Sequence, residues 1–269
     1  MTSPILVTGG TGNLGHLVVP RLVDAGHDVR VLSRHSRESS EGIEFMTGDL
    51  ATGDRIDAAV EGSEIIVHLA GSSKGDEEKA RHLVRAASRA GVRHLVYISV
   101  VGADRIPLGY FRSKLGAERE VADSGLPWTA LRATQFHDLM SMAAQQMARL
   151  PVVPVPAGFR FQPVDAGEVA ARLVELALGP PAGLVPDLAG PRVYGMAAMV
   201  RGYLQARRKH RPIVPVWVPG KAARAFRAGA NLAPERAVGR RTWEDFLAAS
   251  VSSPKDSAPA LVADRSISA

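Results

Sequence analysis

The chain has 269 residues, a formal net charge of +6 and no cysteine. The missing thiols exclude disulfides, thiolate metal sites and cysteine nucleophiles, and they fit the cytoplasmic location that we expect. We expect no secretion signal in MTSPILVTGG, and no apolar run is long enough to span a membrane.

Apolar strand-like runs alternate with amphipathic helix-like runs through the first half of the chain. The alternation with short connections predicts an α/β fold, a doubly wound parallel sheet of the Rossmann type. Ligands bind such sheets beyond the carboxyl ends of the strands. The predicted strands are 5–8, 29–32, 43–47, 64–69, 94–99 and 128–132, and the predicted helices are 14–25, 55–60, 77–90 and 110–124.

The second half departs from this alternation. Residues 151–163 are rich in proline and glycine and predict an irregular surface segment. Residues 166–178 predict a helix with Asp165 just before its start. We expect a parallel-sheet core over 1–150 with 164–180 packing back onto it, a small and mainly helical substrate-side cap over 181–250, and a disordered tail over 251–269.

Glycines 9, 12 and 15 lie between the first strand and the first helix with the spacing G-x-x-G-x-x-G. The first allows a tight turn, the second lets a pyrophosphate approach the backbone, and the third lets the helix pack close to the sheet. The helix N-terminus adds free N–H groups and a partial positive charge. The loop predicts a dinucleotide site formed by Thr8, Gly9, Gly12, Asn13, Leu14 and Gly15.

The residues after the second strand indicate which dinucleotide binds. An NAD site carries an acid there for the ribose 2′-hydroxyl, whereas this chain has Ser33, Arg34 and Arg37. A guanidinium can bind a 2′-phosphate, which favours NADP over NAD. The alternative is that both arginines are solvated loop residues. Asp49 and Leu50, after the third strand, either contact the adenine or belong to a turn.

Tyr110 and Lys114 are four residues apart, so on a helix they share a face. A nearby ammonium lowers the pKa of a phenol, and such a tyrosine can act as a general acid or base. Ser99 ends the preceding strand, where its hydroxyl can bind a substrate carbonyl. We therefore predict Ser99, Tyr110 and Lys114 as the catalytic residues.

Together these motifs resemble the short-chain dehydrogenase/reductase superfamily, and more closely its extended and atypical branches, which include NmrA-like NAD(P)-binding proteins. TGGTGNLG resembles the glycine motif of that family, and Ser99, Tyr110 and Lys114 match its catalytic residues. The resemblance implies that Lys114 also contacts the nicotinamide ribose. It further implies cofactor contacts from Asp49 and Leu50 and from the segment after the fourth strand, Leu69, Ala70 and Gly71.

The leading hypothesis is an NADP(H)-dependent oxidoreductase that acts on a small organic carbonyl, alcohol or enone-like compound. One alternative is a non-catalytic NAD(P) sensor, and another is an epimerase or dehydratase that uses bound cofactor. Phe136, Phe159 and Phe161 suggest an apolar substrate or are core residues. His137 and Asp138 form an acid–base pair or a structural turn. No metal is expected, because the eight histidines show no ligand spacing.

The positive charge is local, because residues 201–241 hold eleven Lys and Arg against one acid. This basic stretch either attracts anions, nucleic acid or membrane headgroups, or forms an Arg-rich helical face. It surrounds an apolar, proline-spaced segment over 212–220. It contains no recognisable DNA-binding motif, so we expect a small-molecule substrate rather than a nucleic-acid partner.

Overall fold

The computed structural model describes residues 3–72 and 74–252, and six of its strands are the six predicted from the sequence. The main sheet has seven strands in the order β3-β2-β1-β4-β5-β6-β9, and all of its pairings are parallel. The doubly wound fold is therefore confirmed. The strands are β1 (Ile5–Thr8), β2 (Val29–Ser33), β3 (Ile43–Thr47), β4 (Ile65–His68), β5 (His94–Val100), β6 (Trp128–Ala133), β7 (Val153–Pro156), β8 (Arg160–Phe161), β9 (Gly183–Leu184), β10 (Tyr194–Gly195) and β11 (Ile213–Val216).

Helices cover both faces of the sheet, because successive strand residues point to opposite sides. Ile5 and Val7 pack with α1 and α6, whereas Leu6, between them, packs with α2, α3 and α4. Within the described residues, no helix has both the length and the apolar character needed to cross a membrane. The helices are α1 (Gly15–Asp24), α2 (Ile56–Val60), α3 (Asp76–Arg89), α4 (Gly109–Ala122), α5 (His137–Met147), α6 (Ala166–Leu178), α7 (Met196–Ala206), α8 (Lys221–Arg227) and α9 (Trp243–Ser252).

The predicted helix over 166–178 is confirmed as α6, and Asp165 caps its N-terminus. The Asp165 carboxylate accepts hydrogen bonds from the backbone N–H groups of Gly167 and Glu168. Its other oxygen lies 2.7 Å from Arg241. One side chain therefore both starts a helix of the core and ties the later part of the chain to it.

The prediction of an irregular surface segment over 151–163 is wrong. This segment contains β7 and β8, and Val153 and Val155 of β7 are buried. Both strands pair with partners more than 30 residues away, β7 with β11 and β8 with β10. Local composition does not reveal pairings that distant, because they depend on how separate parts of the chain fold together.

The stretch predicted as the cap contains α7, α8 and α9 together with three short strands. One of them, β9, pairs with β6 and so belongs to the main sheet, although we expected the residues from 181 onwards to form the cap. The division into core and cap stays a prediction. Helix α9 continues through the first two residues of the predicted tail. The rest of that tail lies outside the described residues.

His137 is a buried structural residue rather than half of an acid–base pair. Its ring stacks on Phe246, with centroids 5.1 Å apart, and on Trp243 at 6.1 Å. Neither ring nitrogen has a hydrogen-bond partner among the described residues. Burial lowers the pKa of His137 to about 4, so the imidazole is neutral in the folded chain.

This stack should make the fold sensitive to acid. The unfolded chain protonates His137 below about pH 6.5, so its contribution is complete above that pH and is lost as the pH falls towards 4. His137→Phe, which keeps a stacked ring, should reduce the loss of stability between about pH 7.5 and about pH 5 by about 2 kcal/mol. Urea unfolding at both pH values measures this difference. His210→Phe, at an exposed position, is the matched control, and an equal effect of both changes would contradict the assignment.

Candidate active site

The predicted site residues lie along one edge of the sheet, where the parallel strands end. Ser33 ends β2, Thr8 ends β1, Leu69 and Ala70 follow β4, and Ser99 lies near the end of β5. The strand order reverses between β1 and β4, and doubly wound sheets bind ligands at such a switch point. The fold therefore places the predicted cofactor and catalytic residues along the same edge of the sheet.

The turn between β1 and α1 needs its glycines. Gly9 has a φ of +72°, and a Cβ there would lie 2.6 Å from the backbone nitrogen of Ala70. A Cβ on Gly15 would overlap the carbonyl oxygen of Gly9. The backbone N–H of Gly12 donates to that same oxygen at 3.0 Å. The turn is thus packed against β4 and against its own helix too tightly for any side chain at these positions.

The N-terminus of α1 fits a diphosphate. Leu14 precedes the helix without a side-chain cap, so the first N–H groups have no side-chain acceptor. Asn13 and Gly12 are exposed beside them, and α1 has no acid in its first turn. The N–H groups of His16 and Leu17 already donate to backbone carbonyls, but the helix dipole and the absence of a carboxylate suit an anion. The residues present therefore fit the pyrophosphate of a dinucleotide.

Thr8 joins two strand ends rather than offering its hydroxyl to the cleft. It is fully buried, and its Oγ1 lies 2.6 Å from Nδ1 of His68. Burial, with a further contribution from Lys114, lowers the pKa of His68 to about 3, so this imidazole is neutral. Thr8 and His68 together fix the spacing between β1 and β4 at the switch point.

The loop that follows β2 carries two exposed arginines, Arg34 and Arg37. The Ser33 hydroxyl donates to the carbonyl oxygen of His35 at 2.8 Å and shapes the loop that follows β2. Arg34 and Arg37 are exposed, and in the described part of the chain neither forms an ion pair. Asp49 accepts a hydrogen bond from the backbone N–H of Ala51 at 2.9 Å, which is the turn role weighed from the sequence. Leu50 is buried.

The three predicted catalytic residues share one cavity of about 520 Å³. Its wall is mostly apolar and comes from strand ends, from α4 and α5, and from the second half of the chain. Phe136 and Phe161 line it, whereas Phe159 stacks on Phe226 at 5.1 Å. The lining residues are Leu14, Leu69, Gly71, Ser72, Ile98, Ser99, Val100, Tyr110, Phe111, Lys114, Ala133, Thr134, Gln135, Phe136, Leu139, Met140, Ala143, Phe161, Met196 and Phe226.

A buried carboxylate beside Lys114 was missed by the sequence analysis. Asp76 is fully buried at the start of α3, and its Oδ2 lies 3.1 Å from the Lys114 ammonium. Its Oδ1 accepts from the backbone N–H of Ser72 at 2.8 Å. A Cβ on Gly71 would lie 2.6 Å from the same ammonium. An acid in the first turn of a helix is common, so the sequence gave no reason to single Asp76 out.

Asp76 overturns the expected pKa of the tyrosine. We expected Lys114 to lower the pKa of Tyr110, but burial and the Asp76 carboxylate raise it. The Asp76 carboxylate lies 3.1 Å from the Lys114 ammonium and 3.5 Å from the Lys79 ammonium, so it stands between two cations. At neutral pH the phenol of Tyr110 is therefore protonated and can give a proton rather than take one.

Three polar atoms in or beside the cavity have no hydrogen-bond partner among the described residues: Ser99 Oγ, Thr134 Oγ1 and Gln135 Oε1. The cavity wall includes all three residues. Buried polar groups normally have partners, so such a group in a cleft suits a ligand that brings its own donors and acceptors. A largely apolar molecule with one or two oxygens matches this lining.

Comparisons with known proteins agree with the glycine turn. Residues 9–176 match the model of a family described as NAD(P)H-binding. A (4-alkanoyl-5-oxo-2,5-dihydrofuran-3-yl)methyl phosphate reductase from Streptomyces griseus is 37% identical over 140 residues, which are 49% of this chain and 48% of that protein. Quinone oxidoreductase 2 of Escherichia coli is 31% identical over 135 residues, 48% of this chain and 47% of the relative. The chain thus spans about half the length of these curated relatives.

A solved structure extends the likeness in fold over most of the chain. The NADPH-dependent quinone oxidoreductase of Escherichia coli, crystallised with NADPH, superposes with a TM-score of 0.80. The superposition covers 91% of this chain and 99% of that one at 20% identity. At this identity the likeness concerns the fold, including the part beyond residue 176.

Gly15→Ala should weaken NADPH binding by roughly tenfold or more. A rearrangement of the turn that costs about 1.4 kcal/mol of binding free energy is enough to raise the Kd tenfold. The added methyl would overlap the Gly9 carbonyl oxygen and force the turn away from the diphosphate position. Gly195→Ala is the matched control, because Gly195 has a φ of −71° and no atom within 4 Å of the added carbon. Fluorescence titration with NADPH measures the effect. Unchanged affinity in Gly15→Ala would contradict the assignment of the turn.

Proposed function

The chain belongs to an NAD(P)H-binding family, and on this premise we propose that it is an NADP(H)-dependent oxidoreductase that reduces a small, largely apolar carbonyl, quinone or enone-like compound. The observation that carries the proposal is the apolar cavity with Ser99, Tyr110 and Lys114 in one wall. The relatives named above, a reductase and a quinone oxidoreductase, support the reaction class.

In this proposal the cofactor lies along the carboxyl edge of the sheet. Glycines 9, 12 and 15 and the N-terminus of α1 hold the diphosphate. Arg34 binds the 2′-phosphate, with Arg37 beside it, and Lys114 contacts the nicotinamide ribose. The nicotinamide, when bound, supplies a hydride to the substrate.

The chain's own residues handle the proton. Ser99 donates a hydrogen bond to the substrate oxygen, which draws electrons from the carbon that is reduced. Tyr110 gives its hydroxyl proton to that oxygen, so one hydride and one proton convert a carbonyl into an alcohol. Tyr110 as a whole residue is 42% exposed, so water can reach it and restore its proton after each turnover.

Asp76 acts through Lys114 as a positioning residue. Its buried carboxylate holds the ammonium beside Gly71, at the floor of the cleft. The same negative charge disfavours a phenolate at Tyr110. This arrangement favours reduction, because the resting tyrosine already carries the proton that reduction consumes.

Tyr110→Phe should reduce turnover by roughly a hundredfold or more, because it removes the proton donor. The NADPH affinity should stay nearly unchanged, since the ring keeps its packing. NADPH oxidation over a panel of quinones, ketones and enones measures turnover, and titration measures binding. Full turnover in Tyr110→Phe would rule out this mechanism, and the absence of any turnover in the wild type would favour a cofactor sensor.

Asp76→Asn should shift the alkaline limb of the pH–activity profile to lower pH, because it removes an anion that raises the pKa of Tyr110.

Arg34→Ala should raise the Kd of NADPH by roughly 10- to 100-fold, the range expected for a lost charge-assisted contact with a phosphate. The Kd of NADH should change by less than about twofold, because NADH has no 2′-phosphate. Arg37→Ala is the matched change three residues away and should have the smaller effect. Equal losses for both dinucleotides in Arg34→Ala would show that the arginine does not select NADP.

A further inference from the structure

A surface strip in the second half of the chain combines exposed apolar residues with unpaired cations. We define the basic–apolar strip as residues 207–224, which run from the end of α7 through β11 into α8. Every residue from Val214 to Lys221 is exposed, and the Trp217 side chain is 67% exposed. An exposed apolar run of this kind on a folded chain indicates a contact surface.

The strip stays exposed because β11 lies at the edge of a two-stranded sheet. It pairs in parallel with β7, whose Val153 and Val155 face the core. The register places exposed Leu150 and Val152, just before β7, beside the start of the strip, and the backbone N–H of Val153 donates to the Pro212 carbonyl. The exposed apolar area therefore extends across both chain segments.

Cations stand at both ends of the apolar run. Arg208, Lys209 and Arg211 precede it, and Lys221 and Arg224 follow it, all exposed. Over the described ranges 3–72 and 74–252, none of these five forms an ion pair. The first group follows the C-terminus of α7, where the helix dipole favours cations. Lys221 lies at the start of α8, where the dipole favours acids, so helix stability does not explain it, whereas Arg224 lies in the last turn of the same helix.

Trp217 is held in place while it faces solvent. The guanidinium of Arg227 lies 3.9 Å from the centroid of the indole ring and donates to the Val218 carbonyl oxygen at 2.8 Å. An exposed tryptophan flanked by valines and in contact with a cation is suited to a boundary between water and hydrocarbon, where one part of the ring is buried and another stays wet.

We propose that the basic–apolar strip docks on the surface of an anionic phospholipid bilayer, with Trp217 and its neighbouring valines at the level of the acyl-chain boundary. Lipid phosphates would meet the cations at both ends, and hydrocarbon would cover the apolar run between them. The proposal concerns peripheral docking and is independent of the proposed reaction.

Other occupants fit the strip less well. Nucleic acid would pair with the cations but leave the valines and Trp217 in water. A second copy in a twofold arrangement would bring the same cations face to face. Addition of a strand from another chain is hindered, because Pro212, Pro215 and Pro219 have no N–H to donate.

Sedimentation of the full chain with vesicles tests the proposal. We expect binding to vesicles of equal parts phosphatidylglycerol and phosphatidylcholine, weakened by salt, and little binding to phosphatidylcholine alone. Lys209→Gln with Arg211→Gln should lower the partition coefficient by roughly 30-fold, and Trp217→Ala by roughly tenfold. Arg85→Gln with Arg119→Gln removes two exposed charges on α3 and α4 and is the matched control, with no expected effect.

Three results would overturn the proposal. The first is no binding to the anionic vesicles, and the second is binding that neither strip variant weakens. The third is a different occupant: a dimer that Trp217→Ala dissociates, or duplex DNA bound more tightly than the vesicles and released by the Lys209 and Arg211 changes. Circular dichroism of each variant shows that a loss of binding is not a loss of fold.

Discussion

The proposed chemistry of the cleft depends on the buried ion pair between Lys114 and Asp76. Both side chains lie away from water, and their polar atoms are 3.1 Å apart. Removing one partner of such a pair leaves an uncompensated charge in a region of low dielectric, which is costly. The pair joins α3 to α4 beside Gly71, and burial together with the Asp76 carboxylate raises the pKa of Tyr110. The Asp76 carboxylate therefore both holds the Lys114 ammonium and favours the protonated phenol of Tyr110.

The parallel sheet turns distant stretches of sequence into neighbours. Thr8 and His68 are 60 residues apart in the chain and share a hydrogen bond of 2.6 Å, because β1 and β4 are adjacent. The glycine turn packs against Ala70 for the same reason. Strand pairing thus sets the proposed diphosphate position and the cavity wall that carries Ser99, Tyr110 and Lys114.

The short helix α8 contributes residues both to the cavity and to the basic–apolar strip. Phe226 of α8 lines the cavity and stacks on Phe159, whereas Lys221 and Arg224 of the same helix belong to the basic–apolar strip. The positive charge that composition assigns to residues 201–241 is therefore divided. Arg241 pairs with Asp165 inside the structure, and the strip keeps its cations exposed.

The sequence by itself determined the six main strands, the glycine turn and the shared helix of Tyr110 and Lys114, because local periodicity and glycine spacing specify them. Tertiary structure alone decided which strands pair and which side chains contact each other. The strands β7 and β8, the stacked ring of His137 and the Asp76 carboxylate beside Lys114 all depend on contacts between residues far apart in the chain. Local pattern carries no record of such contacts, and for that reason the pKa of Tyr110 was expected to fall, whereas the fold raises it.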